Sequence, residues 1–97
     1  MAKLTDAQVA QALHDLPGWV HQDRKLVKTF KHGSFPEAIV FVNAVAHLAE
    51  LANHHPDVDI RYSDITLSLI THDQDGITEK DVALAQQVEA LRKKVGV

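Results

Sequence analysis

The stretch that decides the fold is residues 34–57, SFPEAIVFVNAVAHLAELANHHPD, a long apolar segment that ends in two adjacent histidines and a proline. Ser34 is a residue type that caps helix amino termini, Pro36 suits the first turn, and no further glycine or proline occurs before Pro56. Because a proline disfavours helical geometry at the residue before it, the helix should stop at or just before the histidine pair. We therefore predict one long helix, the longest element of the protein.

The segments on either side of this helix have the pattern of β-hairpins. Upstream, residues 19–21 and 26–31 flank a polar turn, and the second run alternates apolar with polar side chains. Downstream, residues 58–62 alternate in the same way, and after a short turn a further apolar run covers residues 65–72. These patterns predict two antiparallel hairpins, with His72 at the end of the last strand.

Two further helices are predicted at the ends of the sequence. Thr5 and Gln8 have the spacing of a capping box, and apolar residues then recur at helical spacing as far as Pro17-Gly18. Residues 78–81 resemble a second capping sequence, and an amphipathic pattern follows it. The order α-β-β-α-β-β-α, in a single domain of residues 1–97, predicts an α+β fold: a four-stranded antiparallel sheet with three helices on one face.

Composition limits the classes of function. Hydrophobic residues make up 45% and charged residues 24% of the 97, which is ordinary for one globular domain. The net charge of -3, without a long basic run, argues against nucleic acid as a partner. Disulfides and thiol catalysis are excluded because there is no cysteine. No stretch has the apolar core of a signal peptide or an uninterrupted membrane span, so we expect a cytoplasmic protein that binds no membrane.

Four polar residues interrupt the apolar helix at spacings of four, three and four: Asn43, His47, Glu50 and His54. At about 100° per residue they fall on one helix face, which is costly to seal from water, so they either face a cleft or satisfy one another. Two other interpretations stay open. His54 and His55 are a helix-ending feature favoured by the helix dipole, or His47, Glu50 and His54 bind a divalent metal.

Two residues far along the chain extend this group. His72 directly precedes an acidic turn, and Asp81 lies in the first turn of the last helix. If the fold brings these ends together, His54, His55 and His72 line one pocket, with Glu50 and Asp81 available to orient them. Imidazoles titrate near neutral pH and suit general acid and general base roles. Three other histidines beside turns are expected to be exposed and are assigned no chemistry: His14, His21 and His32.

These residues have the spacing of a known motif. Glu50 is followed after three residues by His54-His55-Pro56, after five more by Tyr62, after nine by His72 and after eight by Asp81. In this spacing the chain resembles the pterin-4a-carbinolamine dehydratase family. The resemblance extends to Trp19 after Pro17-Gly18 and to the apolar central helix, so that it covers nearly the whole chain.

The resemblance implies dehydration of 4a-hydroxytetrahydropterin to quinonoid dihydropterin, without a metal or an organic cofactor, by His54, His55 and His72. The reaction needs one proton delivered to the leaving 4a-hydroxyl and one removed from N5, which suits groups that titrate near neutrality. We expect His54 and His72 to flank C4a and N5 as acid and base, in an order that the sequence leaves open. His55 is expected to hold the substrate or a proton.

The resemblance also implies contacts around the histidines. Glu50 or Asp81 is expected to orient the imidazoles, and the backbone of the run that ends at Thr71 to hold the flat pterin edge. Trp19 either packs at the pocket or is a core aromatic, and Tyr62 is expected to be structural.

The chain departs from the animal members of the family at Asn53 and Ile70, which concerns substrate contacts rather than the histidines. Similar proteins form homodimers and homotetramers, in agreement with the self-association that an uncovered sheet edge favours. The animal members also stabilise the dimer of a partner protein, which is the alternative function.

Overall fold

The computed structural model describes residues 2–95 and has the predicted element order. The helices are α1 (Asp6–Leu13), α2 (Phe35–Ala52) and α3 (Glu79–Val95). The strands are β1 (Val20–Gln22), β2 (Lys25–Lys31), β3 (Asp57–Arg61) and β4 (Asp64–Leu69). A short 3-10 helix, His72–Gln74, lies between β4 and α3.

The four strands form one antiparallel sheet in the order β1-β2-β4-β3. In the first hairpin Gln22 pairs with Lys25 across two turn residues, Asp23 and Arg24, whose φ angles of 51° and 65° match the right-handed twist of the strands. The second hairpin turns at Tyr62, which has a φ of 53° and is 74% exposed. The predicted strand 58–62 is therefore one residue too long, because Tyr62 belongs to the turn.

The hydrophobic core lies between one face of the sheet and the helices. Along β4 the side chains of Ile65, Leu67 and Leu69 are buried in strict alternation, and Leu26 and Phe30 of the neighbouring β2 share their face. The opposite face is polar, with an exposed hydrogen bond of 2.8 Å between the hydroxyls of two paired threonines, Thr29 and Thr66. The predicted α+β architecture is confirmed.

Helix α2 is long and apolar, and one stripe of its side chains is buried in the core. Its core residues are spaced three and four apart: Ala38, Phe41, Val45 and Ala49. Among residues 2–95 it is the one helix that is long and apolar enough to cross a membrane, a test that the core helix of a soluble protein also passes. Ser34 caps its start, since the Ser34 hydroxyl accepts a hydrogen bond from the Glu37 amide at 3.3 Å.

Two other predicted boundaries are wrong. Helix α1 has the expected capping box of Thr5 and Gln8, but it ends at Leu13, and Leu16 reaches the core from the following turn. The strand predicted to reach His72 ends at Leu69 instead. There the backbone of Thr71 turns to pair with Gly76, so the chain leaves the sheet and places His72 in the 3-10 helix.

Candidate active site

The end of α2 sets the direction of the histidine pair. Asn53 adopts the left-handed conformation with a φ of 51°, which asparagine tolerates better than most residues. The Asn53 amide donates to the Glu50 carbonyl at 3.2 Å and the His54 amide to the Ala49 carbonyl at 3.1 Å, the two bonds of a Schellman motif. Asn53 therefore terminates the helix and turns His54 away from the α2 axis.

His54 contacts a carboxylate of another helix, α3. Its Nε2 lies 2.5 Å from Oδ1 of Asp81. The Asp81 side chain is fully buried, and the His54 side chain is 12% exposed. An ionised carboxylate only accepts hydrogen bonds, so this contact places a proton on Nε2 of His54. In the neutral imidazole, Nδ1 is then the nitrogen that can accept a proton.

Asp81 is held by two further hydrogen bonds. Its Oδ2 accepts hydrogen bonds from the Thr71 hydroxyl at 2.9 Å and from the Thr78 amide at 2.9 Å, and the two threonine hydroxyls are 2.8 Å apart. Thr71 and Thr78 are themselves buried. We call His54, Thr71, Thr78 and Asp81 the Asp81 network. It links the end of α2, the loop after β4 and the start of α3.

His55 and His72 are more open than His54. Nε2 of His55 lies 2.9 Å from Oε1 of Glu50 in the last turn of α2, and the side chains of His55 and Glu50 are 59% and 80% exposed. His72 is exposed on a loop that two backbone bonds close, from the Thr71 amide to the Gly76 carbonyl at 2.9 Å and back at 3.4 Å. The Thr71 hydroxyl in the Asp81 network anchors the residue directly before His72.

One cleft of about 310 Å³ is lined by all three histidines, together with Asn53, Ile70, Thr71, Asp73 and Lys80. Asp81 lies behind His54 and Glu50 beside His55, so neither carboxylate lines the cleft itself. The sequence placed Lys80 and Thr78 in a helix-capping segment, but neither was predicted to belong to the site. The available signal was their closeness to Asp81 in the sequence, since Lys80 directly precedes Asp81 and Thr78 lies three residues before it. Residues at the start of a helix lie together at one end of it.

Trp19 does not lie at this cleft. Its side chain is in the core, with the ring edge-on to Phe30 at a centroid distance of 5.8 Å and its Nε1 donating to Oε2 of Glu89 at 2.9 Å. Of the two interpretations of Trp19, the core aromatic is the one that the structure supports. Strand β1 begins directly after Trp19 and pairs with β2, which carries Phe30.

The polar residues of α2 do not form a metal site. His47 and Asn43 are exposed, while Glu50 pairs with His55 and His54 pairs with Asp81. Within residues 2–95 no three histidine or acidic side chains are arranged to hold a metal ion. The four polar residues therefore neither converge nor satisfy one another, because the chain turns at Asn53.

A fold of this kind, with three histidines around one cleft and a buried carboxylate behind the first, defines a class of small α+β proteins that can move protons on a bound molecule. The chain belongs to the pterin 4 alpha carbinolamine dehydratase family, whose sequence model matches residues 2–91.

Two bacterial relatives, both provisionally named pterin-4-alpha-carbinolamine dehydratases, are similar over most of the chain. The protein from Roseiflexus sp. (strain RS-1) is 52% identical over 89 residues, covering 92% of this chain and 96% of its own length. The protein from Thermomicrobium roseum is 50% identical over 91 residues, covering 94% and 98%.

Two solved structures have the same fold. A transcriptional coactivator/pterin dehydratase from Brucella melitensis superposes with a TM-score of 0.86 at 32% identity, covering 92% of this chain and 97% of its own. A pterin dehydratase-like protein identified as a RuBisCO assembly factor in the alpha-carboxysome superposes with a TM-score of 0.62 at 26% identity, covering 75% and 84%.

Proposed function

We propose that this protein dehydrates 4a-hydroxytetrahydropterin to quinonoid dihydropterin, with His54, His55 and His72 as its acid-base groups. The observation that carries the proposal is the single cleft lined by these three histidines, with Asp81 buried against His54. Membership of the dehydratase family supports the reaction class. Its cleft volume of about 310 Å³ lies at the lower end of the range for small-molecule sites.

The reaction balances with two proton transfers and no oxidant or reductant. A proton is delivered to the 4a-hydroxyl oxygen, the C4a–O bond breaks and water leaves. The N5–H bond gives up its proton, and its electron pair forms the N5=C4a double bond. One general acid and one general base on the two sides of this short bond system are sufficient, and each typically contributes 10²–10⁴-fold.

In this mechanism His54 is the base and His72 is the acid. The contact between Nε2 of His54 and Asp81 leaves Nδ1 to accept the N5 proton, and the buried carboxylate stabilises the imidazolium that forms. His72 is exposed and exchanges protons with solvent, which lets it reprotonate after each delivery to the leaving hydroxyl. His55, paired with Glu50, holds the substrate at the outer side of the cleft.

The pterin edge is held by the residue before Thr71 rather than by Thr71 itself. Both backbone groups of Thr71 bond to Gly76 and its hydroxyl belongs to the Asp81 network, so Thr71 positions other groups. Ile70 lies outside β4 and lines the cleft. Its backbone is the candidate for hydrogen bonds to the amide-like pterin edge.

The test is the rate of 4a-hydroxytetrahydropterin dehydration, measured with a chelator present, for the native protein and two alanine variants. His72→Ala should lose about 10²–10⁴-fold of the acceleration. His47→Ala is the matched control, because His47 is exposed on α2 and does not line the cleft. The proposal is wrong if the native protein gives no acceleration, or if both variants retain it equally.

We also propose that the chain forms a homodimer or homotetramer. In the register of the sheet, Val58 and Ile60 of β3 stand opposite Leu67 and Ile65, on the face that is buried in β4. They are nevertheless 41% and 44% exposed, because within residues 2–95 this edge strand packs mainly against β4. A second copy that covers β3 would bury them.

A partner-binding role is the second candidate function. The two solved structures of the same fold favour it, since one is a transcriptional coactivator/pterin dehydratase and the other is a RuBisCO assembly factor. The exposed apolar residues Val40 and Leu51 of α2, at 57% and 74%, provide a surface for such a partner. A change in a partner's oligomeric state on addition of this protein is the test.

We also propose that the protein is located in the cytoplasm, which subcellular fractionation tests.

A further inference from the structure

A second cavity lies at the other end of the α2–α3 pair. The end of α2 and the start of α3 meet at the contact between His54 and Asp81, whereas the first turns of α2 and the last turns of α3 line a space of about 850 Å³. The two helices are thus antiparallel. Since α2 has 18 residues, the two sites are separated by roughly 25 Å at 1.5 Å per residue. They share no lining residue.

We call this space the basic cavity. Its lining carries a net positive charge, whereas the net charge of the whole protein is negative. Its charged side chains are Lys28, Lys31, Arg92, Lys93, Glu37 and Glu89. Four cations and two carboxylates leave it a formal charge of +2, on a chain whose net charge is -3. A local excess of this sign attracts anions.

One of the two carboxylates is already neutralised. Oε2 of Glu89 accepts hydrogen bonds from Nζ of Lys28 at 2.8 Å and from the indole of Trp19 at 2.9 Å, and Nη1 of Arg92 lies 3.4 Å from Oε1. The side chains of Lys28 and Glu89 are only 12% and 13% exposed. Burial raises the pKa of Glu89, but the hydrogen bonds from Lys28 and Trp19 outweigh it, so the pKa is lowered.

Two ammonium groups at the cavity lack such a partner in the described part of the chain. Lys31 and Lys93 are exposed, and within residues 2–95 neither forms an ion pair or a hydrogen bond through its side chain. Arg92 also lines the cavity, with its guanidinium 4.9 Å from the Phe30 ring centroid. Guanidinium and ammonium groups together are the usual ligands of phosphate in proteins.

His32 gives the cavity a titratable reporter and corrects an expectation. It was expected to be exposed, but its ring packs on Phe41 at 4.9 Å, and its Nε2 is buried without a hydrogen-bond partner in the described part of the chain. Burial lowers the pKa of His32, and the Arg92 charge lowers it further, against the opposing charges of Glu37 and Asp64. His32 therefore adds no charge to the cavity at neutral pH.

We propose that the basic cavity binds a small molecule that carries a phosphate group. Lys31, Lys93 and Arg92 hold the phosphate, whose charge near -2 at neutral pH matches the +2 of the lining. The volume of about 850 Å³ exceeds what a phosphate fills and leaves room for an organic body against Pro17 and the exposed side chain of Val40. The site is independent of the dehydratase reaction.

The experiment uses inorganic phosphate and phenyl phosphate as probes at constant ionic strength, followed by heteronuclear NMR of the whole protein. Saturable shifts are expected at residues 31–33 and in the last turns of α3. Bound phosphate should raise the pKa of the His32 imidazole, because a nearby anion favours its charged form. Phenyl phosphate should bind more tightly than inorganic phosphate if an organic body is accommodated.

Two variants with the same change in charge give the control. Lys93→Glu removes a cavity cation and should weaken phosphate binding about tenfold, as expected for one charge-assisted contact. Lys94→Glu, at the next exposed residue of α3 but outside the cavity lining, should change the affinity less than about twofold. Lys93→Glu should leave the dehydration rate unchanged.

Three results would overturn the proposal. An equal loss of affinity in both variants would show that only the general charge attracts phosphate. Shifts that do not saturate would show that no site exists. Shifts centred on His54, His55 and His72 would place the anion in the histidine cleft instead.

Discussion

The Asp81→Asn variant distinguishes the role of Asp81 in orienting His54 from its role in stabilising the fold. The amide has the shape of the carboxylate but offers one oxygen and one NH₂ group. If the NH₂ replaced Oδ2, it would meet the Thr78 amide and leave that buried donor unpaired, at a cost of about 1–3 kcal/mol. The side chain should instead keep its oxygen towards Thr71 and Thr78 and present the NH₂ group to His54.

The expected consequence is a functional loss with a modest change in stability. His54 Nε2 must then accept a hydrogen bond, so the proton of the neutral ring moves to Nδ1, the nitrogen assigned to the N5 proton. We expect Asp81→Asn to lose about 10²–10⁴-fold in dehydration rate and about 1–2 kcal/mol in the free energy of unfolding. Asp81→Ala removes all three contacts and should cost about 3–5 kcal/mol.

Urea unfolding with an unchanged m value gives the two stability losses, and long-range ¹H–¹⁵N spectra of the imidazole report which nitrogen of His54 carries the proton. Thr66→Val, which removes an exposed hydrogen bond between two threonine hydroxyls, is the control for losing a hydrogen bond outside the site. If Asp81→Asn kept the native protonation of His54 and the native rate, the role of Asp81 would be refuted. A stability loss as large as that of Asp81→Ala would refute the predicted orientation of the amide.

Three further predictions concern stability and assembly. Because the pKa of folded His32 is lowered below 6.5, the stability that His32 contributes is present above pH 6.5 and is lost as the pH falls. In His32→Gln the free energy of unfolding should therefore depend less on pH between 7 and 5.5, as measured by urea unfolding at each pH. The lowered pKa of Glu89 matters at lower pH, because the stability that it contributes is present above the unfolded pKa of 4.5 and is lost as the pH falls further. Glu89→Gln should therefore be less stable at pH 7, and its free energy of unfolding should depend less on pH below 4.5. An unchanged pH dependence in that range would contradict this prediction. Ile60→Lys on the edge strand should shift sedimentation velocity towards the monomer, whereas Arg61→Lys at the next residue should not; equal behaviour of the two variants would exclude β3 from the interface.

Local chemistry explains why the element order was predictable. The capping box of Thr5 and Gln8, the cap at Ser34 and the alternation of apolar residues in β4 act over three or four residues, so the sequence shows them directly. Pro56 likewise indicated where α2 ends. The conformation of Asn53, which produces the Schellman motif and aims His54, was not predicted, because several residue types can take the left-handed conformation at a helix end.

The sequence proposed the candidate site as a set of residues but not as an arrangement. The spacing of His54, His55, His72 and Asp81 carried the family resemblance, and the structure brings all four to one end of the molecule. The assignment of His72 to a strand end was wrong because the bond of Thr71 to Gly76, together with the Thr71 hydroxyl on Asp81, draws the chain out of the sheet. Neither contact has a signature in the local sequence.

The sequence by itself determined the helices, the hairpins and the end of α2, because these depend on neighbours along the chain. It proposed the three candidate histidines through the spacing of a motif. Only the tertiary structure decided that His54 pairs with Asp81, 27 residues away, that Trp19 belongs to the core, and that Lys31 and Lys93 share a cavity. The physical reason is that such pairings arise from the packing of α2 and α3 on the sheet. That packing is set by many weak contacts together, and no short stretch of sequence specifies it.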